Sequence, residues 1–378
     1  MAKKNARRAK KPSTKEIFLF IIVAVLIIAV LVILTTDNSL KTRINDFLVN
    51  IGKDTHTDPD TVPVTGDGKV YTSILSGKGN ITLPGYIDTN SLVEIHFVDV
   101  GQGDAIIINF PDRKTMLIDA GTTSSGLSSW REEYLQYLYD VTDDRIIEYM
   151  VITHADSDHY NMLQAVVENY DVKTAYYNEN SGTNYNKFLD VLDDEPGIVL
   201  YEVDNQSITY TIEGEGYKVT IFCCGDSAFS GADEKNNQSI ICLVEFGGRK
   251  VLLTGDAGLA TEQWFMTEEY SPYFDVDVLK VGHHGSDTST GQAFLEYIDA
   301  EYAIISCDDG TAYGHPKAIV MERLNTYGLV TYRTNRHGNI LLFIDGDGDF
   351  IFLTEKPAAP ENNSYNIELR QITVGNGE

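Results

Sequence analysis

From Leu92 onward the chain alternates apolar and polar positions with the period of a β-strand. Val93, Ile95 and Phe97 fall on one face and Glu94 and His96 on the other, which predicts a half-buried strand. A Gly101-Gln-Gly103-Asp104 turn ends it, Ala105 to Phe110 pairs back, and Thr115 to Ile118 adds a strand that runs into Asp119-Ala-Gly121. Further strands are predicted over 146–153, 172–177, 217–223, 239–246, 250–254, 276–281, 303–306, 329–333 and 339–344. Helical stretches near 129–139, 160–169, 184–193, 258–269, 291–298 and 316–327 lie between some of them. Hairpins mixed with helical returns imply an α/β sandwich whose sheets are covered by helices.

A different pattern precedes this domain. Ile17 to Leu34 carries no charge and is rich in Ile, Val and Leu, so a transmembrane anchor is expected over 16–36. A cleaved signal peptide fits less well, because Thr-Thr-Asp-Asn-Ser after Leu34 offers no small-residue cleavage site. Residues 1–15 hold Lys3, Lys4, Arg7, Arg8, Lys10, Lys11 and Lys15 and no acid, which puts the N-terminus in the cytoplasm and the remainder outside the cell membrane. Residues 37–89 read as a polar extracellular spacer, 90–355 as the folded domain and 356–378 as a Pro-, Asn- and Glu-rich tail.

The whole chain of 378 residues has 29 basic and 56 acidic side chains, a formal charge of −27. Setting the seven N-terminal cations aside leaves 22 basic against 56 acidic, or −34, for residues 16–378. Such acidity argues against non-specific affinity for nucleic acid. The 43% hydrophobic content excludes wholesale disorder. Cys223, Cys224, Cys242 and Cys307 sit in apolar runs without a CxxC spacing, so buried thiols are expected rather than disulfides or a cysteine zinc site. Asp345-Gly-Asp347-Gly-Asp349 imitates part of a calcium loop but reads better as a hairpin turn.

Five of the eight histidines fall in three places: His154 with His159, the pair His283-His284, and His315. The first place, His154-Ala-Asp156-Ser-Asp158-His159, follows an apolar strand and can turn four donors onto one point. As the bland alternative, the same residues are a solvated acidic turn that caps a helix. Asp256 ends the apolar run Val251-Leu-Leu-Thr-Gly, and the His283-His284 pair ends another, Val278-Leu-Lys-Val-Gly. Three strand ends of one sheet presenting such donors would build a metal site.

In order, Phe97-Val-Asp-Val-Gly-Gln-Gly-Asp-Ala105, Leu117-Ile-Asp-Ala-Gly121, Ile152-Thr-His-Ala-Asp-Ser-Asp-His159, Asn236-Asn-Gln-Ser239 before Leu252-Leu-Thr-Gly-Asp256, Leu279-Lys-Val-Gly-His-His-Gly-Ser286 and Tyr313-Gly-His-Pro316 closely resemble the metallo-β-lactamase-fold domain of the ComEC competence family. The run Val330-Thr-Tyr-Arg-Thr-Asn-Arg-His-Gly-Asn339 is similar to that family's closing segment. The resemblance spans about residues 92–354 and implies an αββα metallo-β-lactamase sandwich with a two-metal hydrolytic site, manganese or zinc, acting on phosphodiesters through a metal-activated water. It assigns His154 and Asp156 to one metal, Asp158 and His159 to the other, Asp256 as the bridge and His284 as the last ligand. His283 is then a second-shell or proton-donating residue, the adjacent pair being interchangeable at this stage, and His315 a substrate-side residue or a satisfied histidine beside Pro316. Asp158, His283 and His315 are the catalytic candidates. Asp119 is expected to orient a ligand histidine, and Asp99 and Asp104 to line the site or form its turn.

Two departures stand out. Asp156 replaces a histidine of the usual HxHxDH pattern, and no histidine lies between His159 and His283, so Asn237, Asp233 or water would fill that place and one metal would bind weakly. Lys280, Lys317, Arg333 and Arg336 are candidate phosphate holders or plain surface cations. The expected partners are the membrane, through the N-terminal helix, and a phosphodiester, DNA included. Two alternatives are a hydrolase of small or cell-wall phosphoesters resembling phosphorylcholine esterases, and a non-catalytic binding module.

Overall fold

The computed structural model describes residues 70–72, 80–82, 91–123, 125–178, 182–203, 209–222, 234–267, 275–308, 313–356 and 361. The anchor expected over 16–36, most of the spacer, Cys223, Cys224, Asp233 and most of the tail lie outside the described residues. Among the described residues no helix is long and apolar enough to cross a membrane.

Inside the stretch read as spacer, β1 (Val70–Thr72) and β2 (Asn80–Thr82) form an antiparallel pair. The first large sheet is built from β3 (Val93–Phe97), β4 (Ala105–Asn109), β5 (Thr115–Ala120), β6 (Ile146–Val151), β7 (Asp171–Tyr177), β8 (Val199–Glu202), β16 (Ile340–Ile344) and β17 (Phe350–Thr354), in the order β17-β16-β3-β4-β5-β6-β7-β8. The second contains β9 (Tyr210–Glu213), β10 (Tyr217–Phe222), β11 (Ile241–Phe246), β12 (Arg249–Leu253), β13 (Val278–Lys280), β14 (Tyr302–Ile305) and β15 (Val330–Arg333), in the order β15-β14-β13-β12-β11-β10-β9. Each sheet is antiparallel on one side and parallel on the other, the parallel strands being β5 to β8 in the first and β12 to β15 in the second.

Strand parity sorts the side chains into three cores. Val93, Ile95, Phe97, Ile106 and Ile108 meet Val219, Ile221, Val251 and Val278 between the sheets. On the outer face of the first sheet, Ile107 and Leu117 pack under α1 (Leu127–Val141), α3 (Leu163–Asn169) and α4 (Thr183–Asp194) through Tyr134, Leu138, Val166 and Phe188. The short α2 (Ser157–Tyr160) follows β6, and α5 (Glu234–Asn237) precedes β11. On the second sheet, Leu279 and Ile305 lie under α6 (Leu259–Phe265), α7 (Gln292–Ile298) and α8 (Ala318–Thr326) through Phe265, Phe294 and Leu324. The α9 turn (Thr334–His337) joins β15 to β16.

The result is the expected αββα layering, with one correction to the reading of β3. That strand is buried along its full length rather than on one face, because α1 covers its polar side and the Tyr137 hydroxyl hydrogen-bonds His96 Nδ1 at 3.0 Å. Cys242 and Cys307 are buried thiols outside any disulfide, as expected. The Asp345 segment is a turn between β16 and β17, where Asp345 Oδ1 accepts the amides of Asp347 and Asp349 at 3.0 and 2.8 Å.

Candidate metal centre

The donor residues gather where parallel strands end, the edge of an α/β sheet at which backbone turns into loops and ligands bind. They come from both sheets, which corrects the expectation of a single one: the His154–His159 loop follows β6, whereas Asp256 and the histidine pair follow β12 and β13. Within the first sheet, glycines let the loops after β3, β5 and β6 lie backbone on backbone. A Cβ at Gly103 would come within 2.6 Å of the Asp158 carbonyl oxygen, and one at Gly121 within 2.3 Å of the His159 amide nitrogen. In that close approach the Asp104 amide donates to the Asp158 carbonyl at 3.0 Å.

Two of the buried imidazoles are set by an acceptor on Nδ1. His159 Nδ1 lies 2.7 Å from Asp119 Oδ2, and His284 Nδ1 lies 3.0 Å from the Ser306 carbonyl oxygen. A carbonyl oxygen cannot donate and an ionised carboxylate only accepts, so both Nδ1 atoms carry a proton and the Nε2 atoms are the ones placed to meet a metal. Asp119 is itself held by the amide and hydroxyl of Thr153 at 2.8 and 2.7 Å, which matches its expected orienting role.

Those Nε2 atoms face each other at 3.3 Å. Asp256 Oδ1 stands 3.2 Å from His159 Nε2, and Asp256 Oδ2 and Asp158 Oδ2 each stand 3.5 Å from His284 Nε2. Two ring nitrogens so close repel unless a cation, a proton or a metal ion, sits between them. Donors bound at about 2.0–2.2 Å to one ion are separated by roughly 3.0–3.4 Å, so the spacing suits a metal. Asp104, His159, Asp256 and His284 together offer ligand atoms within 4.8 Å of one another. His154 Nε2, 3.8 Å from Asp156 and 3.9 Å from Asp256, is buried without a hydrogen-bond partner, a second vacancy in the donor pattern that a cation satisfies.

The electrostatics show how anionic the pocket is. Burial opposes charge on every one of these groups, yet Asp256, Asp104 and Asp158 together outweigh it at His284, which is pushed up to about 10, and Asp256 with Asp119 does so at His159, which is held well above the ordinary imidazole value; with no metal bound a second proton takes the Nε2 position that a metal cation would occupy. Asp256, despite burial, lies well below the usual carboxylate range beside His159 and His284. Burial, with the His159 charge, brings His154 down to about 4, so it is neutral at pH 7 and its Nε2 lone pair is free to bind.

The remaining expected residues sit at the mouth. Asp156 has a 41% exposed side chain and is paired with Lys235 at 3.3 Å, and Asp158 is 24% exposed. His283 is 22% exposed, with Nε2 3.7 Å from Asp256 Oδ2 and Nδ1 3.1 Å from the Thr288 hydroxyl oxygen. It and His284 both adopt left-handed backbone, at φ 48° and 52°, costly for side chains with a Cβ and typical of functional sites. The His315 ring centre is 5.6 Å from that of His283 and 6.5 Å from that of His284. Burial, then the His284 charge, lowers His315 to about 4.

Around the periphery one expectation is corrected, and the other residues take definite partners. Lys280 is fully buried and paired with Asp104 at 2.7 Å, because β13 parity turns it between the sheets. Arg333 meets Glu361 at 3.0 Å and Arg336 also pairs with Glu361, which bridges β15 through Thr331, so the tail returns to the domain there. Asn237 Oδ1 faces Thr261 at 3.3 Å, while Asn236 approaches His283 Nδ1 at 3.3 Å. Asp99 forms its turn, accepting the Gly101 amide and pairing with Lys356 at 3.2 Å. Lys317 is bonded to the Tyr313 carbonyl. The signal for Lys280 was present: a lysine one place after Leu279 in an apolar strand must face the opposite side from it.

Comparison with known proteins bears on the same residues. The metallo-beta-lactamase superfamily model matches residues 98–308. The chain is 31% identical over 262 residues to ComE operon protein 3 of Bacillus subtilis, covering 65% of this chain and 32% of that protein. It is also 31% identical over 249 residues to Recombination protein 2 of Haemophilus influenzae, covering 65% and 28%. The match thus takes in less than a third of the length of either relative. Among solved structures, the metallo-beta-lactamase fold protein YhfI from Bacillus subtilis aligns at a TM-score of 0.41 and 10% identity, over 64% of this chain and 96% of that one. The chain belongs to the metallo-beta-lactamase superfamily, and the domain it carries is of the ComEC competence-protein type.

Proposed function

We propose that this metal-dependent hydrolase cleaves phosphodiesters from a membrane-anchored, exterior position. The observation that carries the reading is the convergence of the His159 and His284 Nε2 lone pairs with Asp158 and Asp256. His159, His284, Asp158 and the bridging Asp256 would hold one divalent ion, and His154 with Asp156 the second, manganese or zinc. Bound there, such ions activate water and neutralise charge on phosphoryl oxygens.

The chain's own residues do the rest. Thr153 fixes Asp119, and Asp119 fixes the His159 ring. At neutral pH His315 is unprotonated, so it accepts a proton rather than donating one. Protonation of the leaving oxygen therefore falls to His283, exposed at the mouth and held by Thr288, with solvent at the mouth to restore its proton.

The names of the competence and recombination relatives favour DNA as substrate. A second reading, a small or cell-wall phosphoester, is favoured by the pairing of Lys280, Arg333 and Arg336 with carboxylates, which withdraws these three cations from a polyanion. Full-length protein, stripped and reloaded with Mn or Zn, is to be assayed on single-stranded DNA and on a chromogenic phosphodiester. Turnover should require metal and vanish in Asp158→Ala/His159→Ala; activity that survives the double substitution refutes the assignment. The anchor proposal rests on residues 1–36 and is tested by protease access to the domain in intact cells.

A further inference from the structure

Lys280 and Asp104 are both fully buried and come from opposite sheets, Lys280 from β13 and Asp104 from the turn before β4. Their 2.7 Å contact crosses the sandwich directly beneath the donor cluster. Lys280 Nζ also donates to the Val281 carbonyl at 3.0 Å, so the ammonium is pinned in place. Asp104 is pinned as well: its amide donates to the Asp158 carbonyl and its carbonyl accepts the Gly121 amide, each at 3.0 Å. Its carboxylate lies 3.5 Å from His284 Nδ1 and 4.0 Å from His159 Nδ1. Those are the protonated nitrogens, whereas the lone pairs available to a metal are on Nε2, facing Asp158 and Asp256.

We propose that Asp104 is not a metal ligand but a positioning anion behind the two ligand imidazoles, and that Lys280 is the internal cation that holds it there. A carboxylate on the Nδ1 side polarises both N–H bonds and strengthens Nε2 as a donor. Buried alone it would have to be neutralised; the ammonium keeps it charged and aimed at the rings without lending it to the metal. The inference rests on the metal-centre reading, so its readouts are binding and stability rather than turnover.

The full-length chain in detergent is titrated with Mn²⁺ and melted without metal, as wild type, Asp104→Asn, Lys280→Met, the double variant and Asp256→Asn. Asp104→Asn should keep the wild-type stoichiometry while its affinity falls about tenfold, the effect of losing an outer partner. Lys280→Met should melt lowest. The double variant, which buries no unpaired charge, should recover most of the melting temperature but keep the weakened affinity of Asp104→Asn, and this pair of variants decides the matter if Lys280→Met fails to fold. Loss of stoichiometry in Asp104→Asn to the degree seen in Asp256→Asn makes Asp104 a ligand and overturns the proposal. Recovery of affinity together with melting temperature reduces the pair to a structural cross-link and also overturns it. Absence of both Mn²⁺ and Zn²⁺ binding in wild type removes the metal-centre reading itself.

Discussion

The two sides of the donor cluster are built to different standards. On the deep side, His159 and His284 are fully buried, each has its proton placed by an acceptor on Nδ1, and Asp256 sits between their lone pairs. On the shallow side, His154 is the one well-buried imidazole; its neighbour Asp156 is half exposed and shared with Lys235, and His283 is tied to Thr288 and Asn236. A ligand set whose rotamers and tautomers are fixed in advance binds without reorganisation, and one drawn from exposed, shared side chains does not. The difference teaches that the aspartate at 156, a departure from the family pattern, falls on the shallow side and leaves the deep side whole.

Substitutions can break or sharpen this contrast. The largest effect belongs to Asp256→Asn, which touches both sides: metal affinity should fall by more than about a hundredfold and turnover to background, checked by calorimetric titration and a phosphodiester assay. Asp119→Asn, which removes the acceptor that orients His159, should cost between about ten- and a hundredfold in affinity; an unchanged value would mean the deep side does not depend on that hydrogen bond. His154→Ala should abolish only the weaker metal equivalent. Loss of both equivalents in that variant would erase the distinction between the sides.

The effect furthest from the donors is on stability. Glu262 of α6 accepts the amides of Thr290 and Gly291, and Thr290 in turn accepts the Gly282 amide beside the histidine pair. Burial, opposed by those two amides, raises the Glu262 carboxyl from 4.5 to about 7. The folded protein therefore keeps this proton where the unfolded chain has released it. Its contribution is whole below about pH 4.5 and is lost as pH rises through about 7, at most of order 3 kcal/mol. The melting temperature of Glu262→Gln relative to wild type should climb between pH 4.5 and 7.5 and then level; a flat difference would clear Glu262 of any part.

The layers of the fold were legible because strand parity and helix spacing repeat over many residues. The cluster was legible because His154, Asp158, His159, Asp256 and His284 each stand just past an apolar strand. Period-two alternation could not reveal that β3 is covered on both faces, since the covering comes from Tyr137 some forty residues on. Nor could it assign the strands to sheets: β6 and β12 look alike in sequence, yet pairing places them in different sheets. The cations were misread for a related reason. Whether Lys280 or Arg333 meets a phosphate depends on which distant carboxylate reaches it first, and Asp104 and Glu361 are visible as partners only after folding.

The inequality of the two sides is tested most directly by electron paramagnetic resonance titration of metal-stripped, full-length protein with Mn²⁺. The account predicts a first equivalent bound tightly and a second at least about tenfold weaker, with His154→Ala removing the second alone. Two equivalents of equal affinity, or no bound Mn²⁺ with Zn²⁺ also failing to bind, would contradict it.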